Sequence, residues 1–296
     1  MQTALQERSL TASRPRGFAI RRQRGFSKEG ASATWAIAAW VIGLLAFFPV
    51  LYMVLTGFKT EQAAVDLPPK LVFEPTFDQY RAIFESDFRP FFVNSAVASV
   101  VSTAIVMLLA LPAAYGIAIH PTRKAKDVLF FFISTKFLPP AGVIVPLFII
   151  WRDLGLLGSL RGLVILYTAM NLPIAVWMLR SFFEEIPRDV LDAARIDGAG
   201  VIRELVEILL PMIAPGVVAT MFISIIFAWN EFFFAVSLAS AGTTTVPIFM
   251  VKFVTSEGLF WARLSAAGTM AILPIVLIGW IAQRQLVRGL SLGAVK

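Results

Sequence analysis

PRDVLDAARIDGAGVIRELVEILLPMIAP, residues 187–215, is the stretch on which the fold turns. It concentrates Arg188, Asp189, Asp192, Arg195, Asp197, Arg203, Glu204 and Glu207 between two long apolar segments. The spacing predicts two short helices. Asp189, Val190, Leu191, Ala193 and Ala194 favour the first, with Arg188 and Asp192 one turn apart on one face. Gly198 suits the reversal that follows, because a residue without Cβ takes up positive φ without strain. From Ala199 a second helix sets Val201, Leu205, Ile208 and Leu209 on an apolar side and Arg203, Glu204 and Glu207 on the other, as far as Pro211. Such a pair is either an interfacial element lying on a membrane or a knob that fits a groove on a soluble protein.

The surroundings of this stretch are those of a membrane protein. Of 296 residues, 58% are hydrophobic and 15% charged, with a mean hydropathy of +0.78, far too apolar for a soluble domain. A bilayer core needs about 20 apolar residues per helical crossing. Six segments meet or approach that length: Trp35 to Phe58, Phe91 to Ile119, Val128 to Ile150, Leu163 to Leu179, Pro215 to Val236 and Ser265 to Ile281. Each must be helical, since lipid offers no partner to a free amide or carbonyl. The expectation is an all-α, multi-pass membrane protein with six transmembrane helices.

Charge then orients it. The basic run between Arg8 and Lys28 precedes the first apolar segment, and the positive-inside rule makes that N-terminal tail, residues 1–34, cytoplasmic. This reading takes the net charge of +7 without invoking nucleic acid. Six crossings return the C-terminal tail, residues 284–296, to the same side, and most remaining basic residues fall there. Residues 35–58 form the first span, 59–90 an outer loop, and 91–283 a five-span core that carries the 187–215 stretch on the cytoplasmic side. The outer loop holds Pro68, Pro69 and Pro75 and suits a small cap; Ser237 to Trp261, rich in Gly and Thr, suits an irregular or re-entrant piece.

Catalytic chemistry is hard to assemble. There is no cysteine and one histidine, His120, so neither a disulfide nor a Cys/His zinc site is expected. No HExxH, GxSxG or GxxxxGK[ST] occurs, so the chain has no nucleotide-binding P-loop, and any ATP-driven step needs another subunit. What remains are polar groups at membrane depth, which are costly there and mark pathways or interhelical contacts. Lys136 in STKFLPP, Asn171 in the fourth span, and Asn230 with Glu231 in AWNEFFFA are the candidates for a translocation path. Lys136 serves equally as a structural ion-pair partner, and Asn171 as interhelical glue. Trp229, Phe232, Phe233 and Phe234 could stack on a sugar, but core packing is the commoner use of such aromatics. An ion- or proton-coupled secondary carrier is the competing class; it calls for internal repeats and acidic residues in the spans, and Glu231 is the one such acid.

LDAARIDGAGVIRELVEILLP closely resembles the cytoplasmic EAA loop of permease subunits in binding-protein-dependent ATP-binding-cassette (ABC) importers, whose pattern is roughly EAAxxDGAxxxxxxxxIxLP. Ala193, Ala194, Asp197, Gly198, Ala199, Ile208, Leu210 and Pro211 match, and Asp192 stands where Glu is usual. The resemblance implies a type I importer permease fold in a bacterial inner membrane. It also implies an ATPase-coupling surface made of Asp192, Ala193, Ala194, Asp197, Gly198 and Ala199. The partners it implies are a second permease subunit, two cytoplasmic ATPase subunits and a periplasmic solute-binding protein. ATP and Mg would be used by the ATPase and no cofactor bound by this chain. AWNEFFFA and VRGLSLGAVK resemble the carbohydrate branch, which includes the smaller maltose permease subunit. FFFISTKFLPP, ILYTAMNLPIAVWMLRSFF and TSEGLFWARLSAAG resemble the sorbitol and mannitol group within it.

Overall fold

A computed structural model describes residues 28–255 and 258–292. The N-terminal tail as far as residue 27 and the C-terminal tail from residue 293 lie outside the described residues. The chain divides into two units, Met1–Pro49 and Val50–Lys296. The described part of the first belongs to α1 (Lys28–Thr56), whose apolar run Ala33–Thr56 is 24 residues long, enough for a crossing.

In the second unit, α2 (Glu61–Ala64) and α3 (Asp78–Glu85) occupy the first loop. Next come α4 (Phe88–Ile119), α5 (Ala125–Thr135), α6 (Pro140–Asp153) and α7 (Leu160–Glu184). The 187–215 stretch forms α8 (Arg188–Ile196), α9 (Val201–Arg203), a π-helical turn (Glu204–Leu209) and α10 (Leu210–Met212). After it follow α11 (Ala214–Trp229), α12 (Phe233–Leu238), α13 (Val246–Val251), a hairpin of β1 (Val254–Thr255) and β2 (Gly258–Leu259), and α14 (Trp261–Leu292).

Four described helices are long and apolar enough to cross a membrane, and six spans result if each of two bent pairs counts as one. Two of the six expected segments are therefore bent pairs rather than single continuous helices. The third segment breaks by 95° between α5 and α6, where Pro139 and Pro140 remove donors and hold the backbone extended. The fifth segment ends as a helix at Trp229, so Asn230 and Glu231 lie in a break before α12 rather than inside a span.

The centre of the unit is α4 packed along α7, with α11 against both and against α14. Two rows of buried side chains at four-residue spacing explain the α4–α7 pair. Ala98, Ser102, Val106, Ala110 and Ala114 run down α4, and Leu163, Tyr167, Asn171, Ala175, Leu179 and Phe183 run down α7. Small residues on one helix let the larger ones on the other approach its backbone, the usual basis of tight packing in lipid. Gly216 does the same for α11: a Cβ there would collide with the ring of Phe182.

Candidate functional site

The 187–215 stretch is built as a rigid turn. Helix α8 ends in a Schellman arrangement, in which the Ala199 amide donates to the Ala194 carbonyl (2.9 Å) and the Gly198 amide to that of Arg195 (3.1 Å). Gly198 sits at φ +73°, so the expected reversal is present. A Cβ at that position would meet nothing within 4 Å, which makes the demand on glycine a matter of backbone conformation rather than of space. The second helix begins at Val201 instead of Ala199, with Gly200 as its cap.

Beneath the turn, Leu191, Leu209 and Ile213 join one apolar cluster with Tyr115, Leu179 and Phe183 at the ends of α4 and α7. Asp192, Ala193, Asp197 and Gly198 are exposed and Ala199 is half-buried. Ala194 is buried within this chain, so it holds α8 down rather than facing outward. Arg188 and Asp192 lie one turn apart on α8, and Asp192 is 4.0 Å from Arg195. One expectation for this stretch is corrected. Glu204, expected on the polar side, is 3% exposed. It opens the π-helical turn and stands four residues before Ile208, which packs against the same apolar cluster.

That carboxylate has an assembled set of partners. Tyr115 Oη donates to Glu204 Oε1 (2.9 Å), and Arg195 Nε lies 3.6 Å from Oε2. With its proton committed to Glu204, the Tyr115 oxygen accepts from His120 Nε2 (3.2 Å). His120, Tyr115, Glu204, Arg195 and Asp192 thus form a chain that fastens the turn to the end of α4. The sequence offered no local signal for it, since Tyr115 and Glu204 are 89 positions apart. The turn's surface also carries apolar side chains: Ile196 and Ile202 are 85% and 79% exposed, and Val206 and Val201, the latter expected on the packed side, are exposed as well.

A second polar assembly lies between α7, α11 and the break at Lys136. Lys136, Asn171 and Glu231, three of the four path candidates, line one cavity of about 280 Å³ with Tyr167. Lys136 Nζ donates to the Met170 carbonyl (2.9 Å), three residues before Pro173 of α7. The Glu231 carboxylate accepts from the Phe234 and Ala235 amides (both 2.9 Å), satisfying the first turn of α12. Asn171 is buried, and among the described residues no hydrogen bond occupies its amide.

Tyr167, which composition did not single out, is buried with its hydroxyl facing Glu231 and Thr245 but closing a hydrogen bond to neither. Its register, four residues before Asn171 on one face of α7, was the available signal. Asn230 stands apart: its side chain donates to the Ile226 carbonyl (2.8 Å) and lines a separate cavity with Phe232 and Met250. Of the four aromatics in its segment, Trp229 and Phe234 are buried while Phe232 and Phe233 are exposed.

The end of the bundle away from the 187–215 stretch is tied together by side chains reaching backbone. Asn94 donates to the Gly242 and Thr244 carbonyls (both 2.9 Å), and Ser95 Oγ accepts from the Val246 amide (2.8 Å). Lys59 is buried, with Nζ donating to the Lys70 carbonyl (2.7 Å) above the rings of Tyr52 and Phe73. Glu61 accepts from the Ala262 and Arg263 amides (both 3.0 Å), capping α14.

Residues 107–292 match the family model described as "Binding-protein-dependent transport system inner membrane component". Among curated proteins, the chain is 34% identical over 263 residues to the probable ABC transporter permease protein y4oR of Sinorhizobium fredii, covering 88% of this chain and 95% of that one. It is also 34% identical over 268 residues to the trehalose transport system permease protein SugB of Mycobacterium tuberculosis, covering 88% and 97%. Among solved structures, a chain from a bacterial ABC transporter involved in the import of the acidic polysaccharide alginate superimposes with a TM-score of 0.71 at 21% identity. That match covers 88% of this chain and 98% of the other, a likeness of fold.

Proposed function

We propose a function whose premise is membership: this chain belongs to the family of binding-protein-dependent transport system inner membrane components. On that premise it is the membrane-spanning permease subunit of a carbohydrate importer in a bacterial inner membrane. It lines half of a translocation path and catalyses no reaction of its own. Relatives named for trehalose transport support the solute class. The narrower reading, a polyol of the sorbitol or mannitol kind, rests on the resemblance of FFFISTKFLPP, ILYTAMNLPIAVWMLRSFF and TSEGLFWARLSAAG.

The observation that carries the coupling role is the exposed turn around Gly198, stiffened from within and seated on the ends of α4 and α7. A projecting knob with Asp192, Ala193, Asp197 and Gly198 on its surface, and Ile196 and Ile202 beside them, suits docking into a groove of a cytoplasmic ATPase. Ala194 and Ala199 support that surface from beneath. ATP and Mg are then held by two ATPase subunits, and no cofactor by this chain. A second permease completes the path, and a periplasmic binding protein delivers the solute. Closure of the ATPases moves the paired knobs and changes which side the path opens to, a two-state element biased by nucleotide and solute.

In this scheme Lys136, Asn171 and Glu231, with Tyr167, offer donors and acceptors to a hydroxylated solute from one cavity, and Asn230 contributes from nearer the outer end. A proton-coupled carrier is disfavoured because the carboxylate of Glu231 is already engaged by two backbone amides.

The deciding experiment replaces Gly198 with Trp. At φ +73° any side chain is strained by about 1–2 kcal/mol, and the indole would also stand in the docking surface. The expected result is loss of ATPase co-purification and of solute uptake with the permease still inserted. Retention of both would refute the coupling assignment. Thermal-shift screening of the partner binding protein against polyols, monosaccharides and disaccharides tests the solute class.

A further inference from the structure

A cavity of about 910 Å³ opens beside α8, between the end of α4, the start of α5 and the end of α7. Five cationic side chains line it, Arg123, Lys126, Arg180, Arg188 and Arg195, against two carboxylates, Glu184 and Asp192. The carboxylates are already engaged, since Glu184 pairs with Arg180 and Asp192 lies nearest Arg195. Arg123, Lys126 and Arg188 have no ion pair among the described residues, and Arg180 Nε is buried without an acceptor. Three uncompensated cations and an orphaned donor around one concavity make a site for an anion.

The wall identifies which anion. Ile117, Leu129 and Phe183, from the ends of three helices of the membrane bundle, form its apolar side. A soluble phosphate would gain nothing from that surface. A phospholipid would use both halves, with its phosphate on the cations and its glycerol and first methylenes on the apolar side.

We propose that this cavity binds the headgroup of an anionic phospholipid of the leaflet on the α8 side, next to the turn that carries Gly198. The binding itself rests only on the cavity; that the leaflet is the cytoplasmic one rests on the function proposed above.

The test uses the full chain in detergent with defined mixtures of phosphatidylglycerol and phosphatidylcholine, its bound lipid counted by native mass spectrometry. Phosphatidylglycerol should be retained preferentially, and Arg123→Gln, Lys126→Gln and Arg188→Gln should each lower that preference about fivefold, the equivalent of roughly 1 kcal/mol per cation. Lys126→Arg should preserve it, and Arg152→Gln, an exposed cation elsewhere, should leave it unchanged. All of these side chains are exposed, so each variant should keep the parent's thermal unfolding. Equal retention of the two lipids by the parent chain would overturn the proposal, as would an equal drop for Arg152→Gln. Displacement of the lipid by millimolar inorganic phosphate would make this a soluble-anion site. Variants that keep the lipid but lose a co-purified ATPase would make it a protein contact. Either result also rejects the lipid site. Loss of ATPase coupling in Gly198→Trp with lipid preference intact separates the two proposals.

Discussion

Two buried tyrosines mark two differently built regions of the same bundle. Tyr115, at the end of α4, donates to Glu204, accepts from His120 and packs its ring edge-on to Phe183. Tyr167, midway along the α7 row, faces a small cavity with its hydroxyl unsatisfied. One environment is closed and the other left open. Closure gives the turn around Gly198 a fixed attachment, while unspent donors and acceptors in the cavity stay available to something that comes and goes. The contrast says which region is suited to transmit force and which to touch a passing molecule.

The strongest way to break this contrast is Glu204→Ala. It strips Tyr115 of its acceptor and Arg195 of its inward partner, and should cost about 1–3 kcal/mol, because buried polar groups lose their mates. A lower midpoint of thermal unfolding and weaker ATPase stimulation are the expected readings; an unchanged midpoint would mean the network carries no load. Tyr115→Phe should show a smaller effect of the same kind, about 1 kcal/mol for one hydrogen bond. Lys136→Met should cost no more than about 0.5–1.5 kcal/mol, since one exposed hydrogen bond to Met170 is lost. Its larger consequence should be in uptake, with subunit assembly intact; failure to assemble would make Lys136 a structural residue. Tyr167→Phe should sit at the bottom of the series, within about 0.5 kcal/mol of the parent, because the hydroxyl it removes closes no bond. A loss as large as that of Tyr115→Phe would erase the distinction between the two regions.

How much of this could be read from the residues follows from how local each signal is. Apolar length and charge placement predicted the helices and the reversal at Gly198, because bilayer thickness and positive φ act on neighbouring residues. The bends did not follow from length alone. Pro139 and Pro140 were visible, yet a 95° turn depends on what the two halves pack against. Glu204 was placed on the polar side by its charge, although its four-residue spacing from Ile208 puts it on the packed face. Lys136, Asn171 and Glu231 stood out individually as polar residues in oil. Their meeting in one cavity, and the partners that already engage Lys136 and Glu231, are products of tertiary packing between segments far apart in the chain.

Glu61 holds two amides of the first turn of α14, those of Ala262 and Arg263. Helix α14 has 32 residues, which at 1.5 Å per residue makes a rod of about 48 Å. A rod gripped at its tip acts as a lever: a tilt of about 5° at the Glu61 end sweeps the opposite end through roughly 4 Å, about three-quarters of a helical turn. Whatever leans on residues 59–64 therefore has a long mechanical arm reaching to the far end of α14.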